Sequence, residues 1–220
     1  MTNNRITSIP KTTKNYLPKH LPILSKPGLI LLPNSTLPIV VTQSFILDLI
    51  FYALKKKRFI GVVQPKGKEG GPIFKSGCLG RISTFSETEN GLLIGLTGLY
   101  RFTIEKELHT NKPYKEAQVN YNRFTVDLKQ KNTTNSLDRN RLFNALRSYL
   151  QNHEIATDWE ELQNASDERL ITAITIAAPF APQEKQAILE LPTLTEQCYL
   201  ATTLIEMATL DIIDTNPSYH

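Results

Sequence analysis

From about residue 20 to residue 127 the apolar positions fall in short runs with a period near two, and beyond residue 136 they recur every three to four residues. A period of two places alternate side chains on one face of a strand, whereas a period of 3.6 places them on one stripe of a helix. The front of the chain therefore reads as β-rich and the rear as helical. Leu79, Ile82 and Phe85, then Leu92, Ile94 and Leu96, are apolar, with Asn90-Gly91 between the two runs. An Asn-Gly pair in that position predicts a hairpin, since both residues tolerate positive φ. Gly95 and Gly98 interrupt the second run, and a glycine inside a strand marks a bulge, a bend or a close backbone approach. A curved or barrel-like sheet follows.

Strands are predicted at Phe59 to Val63 and at about 77–86, 92–98, 101–108 and 115–126. Residues 21–43 read as two extended segments broken at Pro27-Gly28 and Pro33-Asn34. Ser44 has the character of an N-cap, and Phe45, Leu49 and Tyr52 with Ile46, Ile50 and Ala53 have the spacing of a short amphipathic helix. Lys66 to Pro72, with three glycines and two lysines, suits an exposed loop. Residues 129–136 are polar, have no periodicity, and are expected to be a linker. After it, Leu142, Leu146, Tyr149 and Leu150 form one helical face, and Leu170, Ile171, Ile174 and Ile176 belong to a second helix. Ala181-Pro182 opens a third, and Leu194 to Ile213 is the longest. About four such helices are expected to pack as a bundle.

These segments resemble the N-terminal domain family of ATP-dependent Lon proteases. The match rests on Cys78 to Ile82 and Leu96 to Phe102, on LPILSKPGLILLPNSTLPI at Leu21 to Ile39, on RFIGVVQP at Arg58 to Pro65, and on PYKEAQVNYNRFTVD at Pro113 to Asp127. Pro179-Phe180 and Glu184 to Glu190 match its helical signature, so about residues 20–212 are covered. The chain departs from the family pattern at Asn34, where a glycine is usual, at Thr42-Gln43, and at Phe45 and Ile46; polar contacts are not carried over there. The resemblance implies an α+β fold: a six-stranded, PUA-like pseudo-barrel β-domain with one inserted helix, followed by a C-terminal helical bundle. The expected divisions are a basic tail over 1–20, the β-rich domain over 21–128, a linker over 129–136 and the helical bundle over 137–214.

Composition narrows the function classes. With 40% hydrophobic and 21% charged residues the chain reads as globular, and no run approaches the roughly 18 apolar residues that span a bilayer. Residues 1–20 lack the apolar core of a signal peptide, and Pro10, Pro18 and a single arginine, Arg5, suit a mitochondrial presequence poorly, so a cytoplasmic address is expected. The net charge of +4 is carried by Arg5, Lys11, Lys14 and Lys19, and the remainder is balanced. A basic nucleic-acid face does not follow from it. Lys55 to Arg58 is the densest cationic run and sits where a predicted helix ends, where the helix dipole favours cations. Two cysteines, Cys78 and Cys198, make no disulfide framework and suit small buried apolar positions.

Candidate chemistry is sparse. The segment from Gly61 to Glu69 spaces its glycines by five residues instead of four and has Glu69 where a phosphate loop needs Ser or Thr. His20, His109, His153 and His220 are scattered, with no metal-ligand spacing. Asp158, Glu160 and Glu161 beside Trp159 are read as a solvated face, and no Gly-x-Ser-x-Gly elbow occurs. No catalytic residue, metal or cofactor is expected. Arg81 and Arg101 present two options: a bidentate fork for a peptide carboxylate, or internal ties between strands. Tyr100, Phe102, Tyr114, Tyr121 and Phe124 are either a stacking surface for single-stranded nucleic acid or core and cross-strand pairs.

The expected function is non-catalytic recognition of unfolded or hydrophobic protein segments, in quality control or as a protease adaptor, with a separate protease as a further candidate partner and the cleft between the two halves as the expected place. Arg81, Tyr100, Arg101 and Tyr114 are the candidate peptide-binding residues. Nucleic acid is an unfavoured partner and no membrane is expected. The alternatives are a PUA-like nucleic-acid-binding module and a hydrolase with a dispersed site.

Overall fold

The computed structural model describes residues 17–68, 70–89, 91–128, 137–153 and 155–215, with side chains as far as Leu210. The sequence-predicted tail up to residue 16 and the linker at 129–136 lie outside the described residues, as does Asn90 of the expected hairpin.

Six strands form one mixed sheet: β1 (His20–Leu24), β2 (Thr36–Val41), β3 (Phe59–Val62), β4 (Ser76–Thr88), β5 (Gly91–Leu108) and β6 (Lys115–Asn120). Their order is β2-β5-β4-β3-β1-β6, with β1 and β3 parallel and the other pairs antiparallel. A further pairing of β5 with β6 makes β5, β4, β3, β1 and β6 a closed circuit of hydrogen-bonded neighbours. Closure is possible because β5 is long: its first half pairs with β2 and its second half with β6. The two strands expected at 92–98 and 101–108 are thus one.

Bulges supply the bend. Register shifts place an unpaired residue at Leu99 on β5 and at Ser83 on β4, each next to a glycine or facing one, and Ser83 Oγ donates to the Gly95 carbonyl at 3.0 Å. Gly98 is needed for close approach, because a Cβ there would lie 2.0 Å from the Leu32 carbonyl oxygen. The loop preceding β2 docks at this point: Asn34 N–H donates to Gly98 O at 2.9 Å, and Gly98 N–H donates to Ser35 O at 2.8 Å. Asn34 itself has φ 62°, a conformation that asparagine tolerates better than most residues. At the hairpin, Thr88 is paired with Gly91, whose φ is 147°.

Helix α1 (Ser44–Leu54) lies over β2, β5 and β4, burying Ile46, Leu49, Ile50 and Ala53 against Ile39, Val41, Ile82, Ile94 and Leu96. Its N-cap is Gln43 without a side-chain bond, so Ser44 is the first helical residue rather than the cap. A second core inside the strand circuit joins Leu21, Ile23, Leu79, Phe102, Ala117 and Val119. The strand expected to run to residue 126 ends at Asn120, and a turn of 3-10 helix follows at Thr125–Leu128.

The rear half holds α2 (Arg139–Asn152), α3 (Trp159–Asn164), α4 (Asp167–Ala177), α5 (Pro182–Glu190) and α6 (Leu194–Thr215) around a core that includes Leu142, Leu146, Leu170, Ile174, Ile188 and Ala201. The starts are marked in the sequence: Asp138, Asp158 and Ser166 each accept a backbone N–H from the first turn, and Pro182 opens α5. Asp158 is thus the cap of α3 as well as part of the exposed acidic face expected at Asp158, Glu160 and Glu161. Arg141 on α2 pairs with Glu206 on α6 at 2.7 Å, which holds the Glu206 carboxyl below its usual range.

Cys78 and Cys198 are buried, and desolvation pushes both thiols above their ordinary range. Neither is expected to react with a thiol reagent in the native protein on the timescale of a free thiol, and two equivalents are expected in denaturant. Gly98→Ala is expected to cost about 1–3 kcal/mol, read from chemical denaturation, because the new Cβ collides with backbone that has no rotamer to yield.

Candidate functional site

Arg101 emerges from β5 opposite Cys78 and is only 4% exposed. A buried guanidinium must place five N–H donors, and here all five have acceptors. Nε and Nη2 grip Asp127 of the 3-10 turn, with Nη2 at 2.6 Å from Oδ1, and the Arg101 backbone N–H adds a bond to the same carboxylate at 2.9 Å. Nη1 donates to the carbonyls of Leu189, at 3.0 Å, and Leu191, and Nη2 donates to Pro192 O at 3.2 Å. These carbonyls close the C-terminal end of α5, where unpaired acceptors and the helix dipole both favour a cation. The ring of Phe124 lies 4.6 Å below the guanidinium.

Helix α5 is therefore the bridge between the halves. Gln64 Nε2 donates to Pro182 O at 3.0 Å at its start, and Gln186 Nε2 donates to Ser76 O at 3.1 Å in its middle. Arg123 meets Glu190 at 3.2 Å near its end. Leu189 adds an apolar contact with Ile30 and Leu32. The cleft expected between the halves is filled along this line. Of the two options for Arg101, the internal tie is the one the geometry shows, and its guanidinium has no donor left for a peptide.

The other three candidates are dispersed. Tyr100 is half-buried on β5 opposite Leu79. Tyr114 packs beside Tyr52 with ring centroids 6.0 Å apart, and the ammonium of Lys112 sits 4.2 Å from the Tyr52 centroid while pairing with Glu116 at 2.6 Å. Arg81 is half-buried on β4 between Phe59 and Thr97, with no hydrogen-bond or ion-pair partner for its side chain among the described residues. The aromatic stacking surface is not assembled: Phe102, Tyr121 and Phe124 are buried.

Two surface features were not singled out in the sequence. The first is the outer face of β2, β5 and β4. Register places Thr36, Thr97 and Arg81 in one row, Pro38, Gly95 and Thr84 in the next, and Val40, Leu93 and Ser86 in the third. Val40 is 54% exposed and Leu93, directly opposite, is 37% exposed. Apart from Arg81 these rows carry no charge, although 21% of the chain is charged. The far edge of β2 pairs with no strand among the described residues. Alternation along β2 and β5 was the available signal; Pro38 masked it. The second feature is a groove of about 370 Å³ between the start of β1 and the end of α1.

A family model described as the ATP-dependent protease La (LON) substrate-binding domain matches residues 20–207. The chain belongs to this family. A Lon N-terminal domain protein from Xanthomonas campestris is similar in fold at 17% identity and a TM-score of 0.58, covering 82% of this chain and 95% of that one. The N-terminal domain of the Mycobacterium avium complex Lon protease is similar at 16% identity and a TM-score of 0.56, covering 85% and 98%. No curated protein matches. The segment Glu184 to Glu190, expected to be helical, lies in α5, the bridging helix, within the matched range. Among the described residues no helix is long and apolar enough to cross a membrane.

Removing the guanidinium leaves Asp127 buried without its partner. Arg101→Met is therefore expected to lose about 3–5 kcal/mol in chemical denaturation, whereas Arg81→Met, with no partner to orphan, is expected to stay within about 0.5 kcal/mol.

Proposed function

We propose that this protein recognises unfolded or hydrophobic protein segments without transforming them, through the outer face of β2, β5 and β4. The observation that carries the reading is the exposed Val40–Leu93 pair on an uncharged sheet face that ends in the unpartnered Arg81. An exposed apolar pair within polar but uncharged surroundings can be desolvated at low cost by an apolar side chain. Arg81 lies four residues along from the Leu93 row, about 13 Å at the rise of a strand, and offers a fork to an acidic side chain or terminal carboxylate of the same segment. Pro38 lacks an N–H and so blunts the free edge of β2, which makes side-chain contact with the face more important than open-ended strand addition.

Membership of a substrate-binding family supports the class of ligand. Quality control or adaptor service to a separate protease, in the cytoplasm, is the role this reading assigns, with the strand circuit as a PUA-like barrel and the rear helices as a bundle that braces it. The exposed apolar residues of α6, Tyr199, Met207 and Leu210, form a weaker candidate because Thr203 and Glu206 share that surface.

The test is binding of a fluorescently labelled, permanently unfolded model protein, followed by anisotropy at low and high salt. Val40→Lys with Leu93→Lys is expected to weaken binding by about tenfold or more, since each substitution removes an apolar contact worth about 1.5 kcal/mol, and Arg81→Ala is expected to have a smaller effect. Affinity for the unmodified protein is expected to change little with salt. Unchanged binding by the double variant would remove the face from the account.

A further inference from the structure

The groove at the start of β1 is a built feature with two fixed walls. On one side Tyr121 Oη donates to Pro18 O at 2.9 Å and Val119 N–H donates to Lys19 O at 2.8 Å, which ties the entering chain to β6. On the other side the end of α1 is closed by its own backbone: Lys55 N–H donates to Phe51 O, and Lys56 and Arg58 N–H groups both donate to Ala53 O, with Arg58 at φ 62° turning the chain into β3. The floor is apolar, made of Leu21, Pro22, Ala53 and Phe59. Lys19, Lys56 and Lys57 stand around it, all exposed, and none has an ion-pair partner among the described residues. Glu116 is the single acid in the lining and is already engaged by Lys112.

The sequence alone explained the cations after α1 by the helix dipole. That explanation does not reach Lys19, which comes from a different element. We propose that this groove docks an acidic segment of a partner protein that carries one aromatic or aliphatic anchor. The anchor fills the apolar floor, in a volume within the usual range for binding pockets, while carboxylates meet the three lysines. A nucleic-acid strand fits less well. The groove lining has no arginine fork; of its two aromatic rings, Tyr52 has the Lys112 ammonium over its face and Phe59 is half-buried in the floor. This site is separate from the β2–β5–β4 face and makes the protein a two-site adaptor.

The test uses the full chain and three labelled probes: a twelve-residue Glu-rich peptide with a central Trp, the same peptide with Gln for Glu, and a thymidine oligomer. The acidic peptide is expected to bind, to weaken as salt rises, and to lose about tenfold or more on Lys56→Glu with Lys57→Glu, both exposed and free to be reversed without loss of thermal stability. The Gln peptide is expected to bind at least about tenfold more weakly. Val40→Lys with Leu93→Lys is expected to leave acidic-peptide binding unchanged, which separates this site from the sheet face. Equal binding of the Gln peptide, insensitivity to the lysine reversals, or binding of the oligomer alone would overturn the proposal.

Discussion

The guanidinium of Arg101 is buried, and a buried cation is tolerable only if a counter-charge and acceptors meet all its donors. That requirement brings together three segments far apart in the chain: the middle of β5, the 3-10 turn holding Asp127, and the C-terminal end of α5. Once those are fixed, Gln64 and Gln186 cross the same join with hydrogen bonds, and Leu189 closes on Ile30 and Leu32. The β-rich and helical halves are thereby one packed body along this line. A consequence is that the space between them is filled where Arg101 lies.

Local features were readable because their causes are local. The 3.6 period of α1 and Pro182 at the start of α5 each depend on a few adjacent residues, and each element forms where its signal lies, while β4 and β5 pair antiparallel on either side of the expected hairpin. Asp158 is the exposed acid the sequence suggests, and its added role as a cap was not legible because α3, at 6 residues, is too short to show a period. The merger of two expected strands into β5 was hidden because the Leu99 bulge looks, in sequence, like a break between runs.

Long-range chemistry was the least legible. Arg81 and Arg101 sit in similar local sequences, each after a small or aromatic residue in a β-run, yet one is half-exposed with no partner among the described residues and the other is saturated. What separates them is Asp127, 26 residues onward, and carbonyls about 90 residues onward. The exposed Val40–Leu93 pair was similarly hidden, because only cross-strand register shows that two isolated apolar residues are neighbours. The fold explains how these features are displayed, and one fold can display different ones. In this chain the sheet displays the exposed Val40–Leu93 pair, while the groove beside β1 is lined by Lys19, Lys56 and Lys57.

Amide hydrogen exchange of the whole chain, with and without an unfolded model protein, shows which face of the sheet takes up the ligand. Added protection is expected in Thr36–Val41 and in the first half of β5, with unchanged protection at α5 and the 3-10 turn around Arg101. Added protection confined to α5 and that turn, or found in neither β2 nor β5, would contradict recognition through the β2–β5–β4 face.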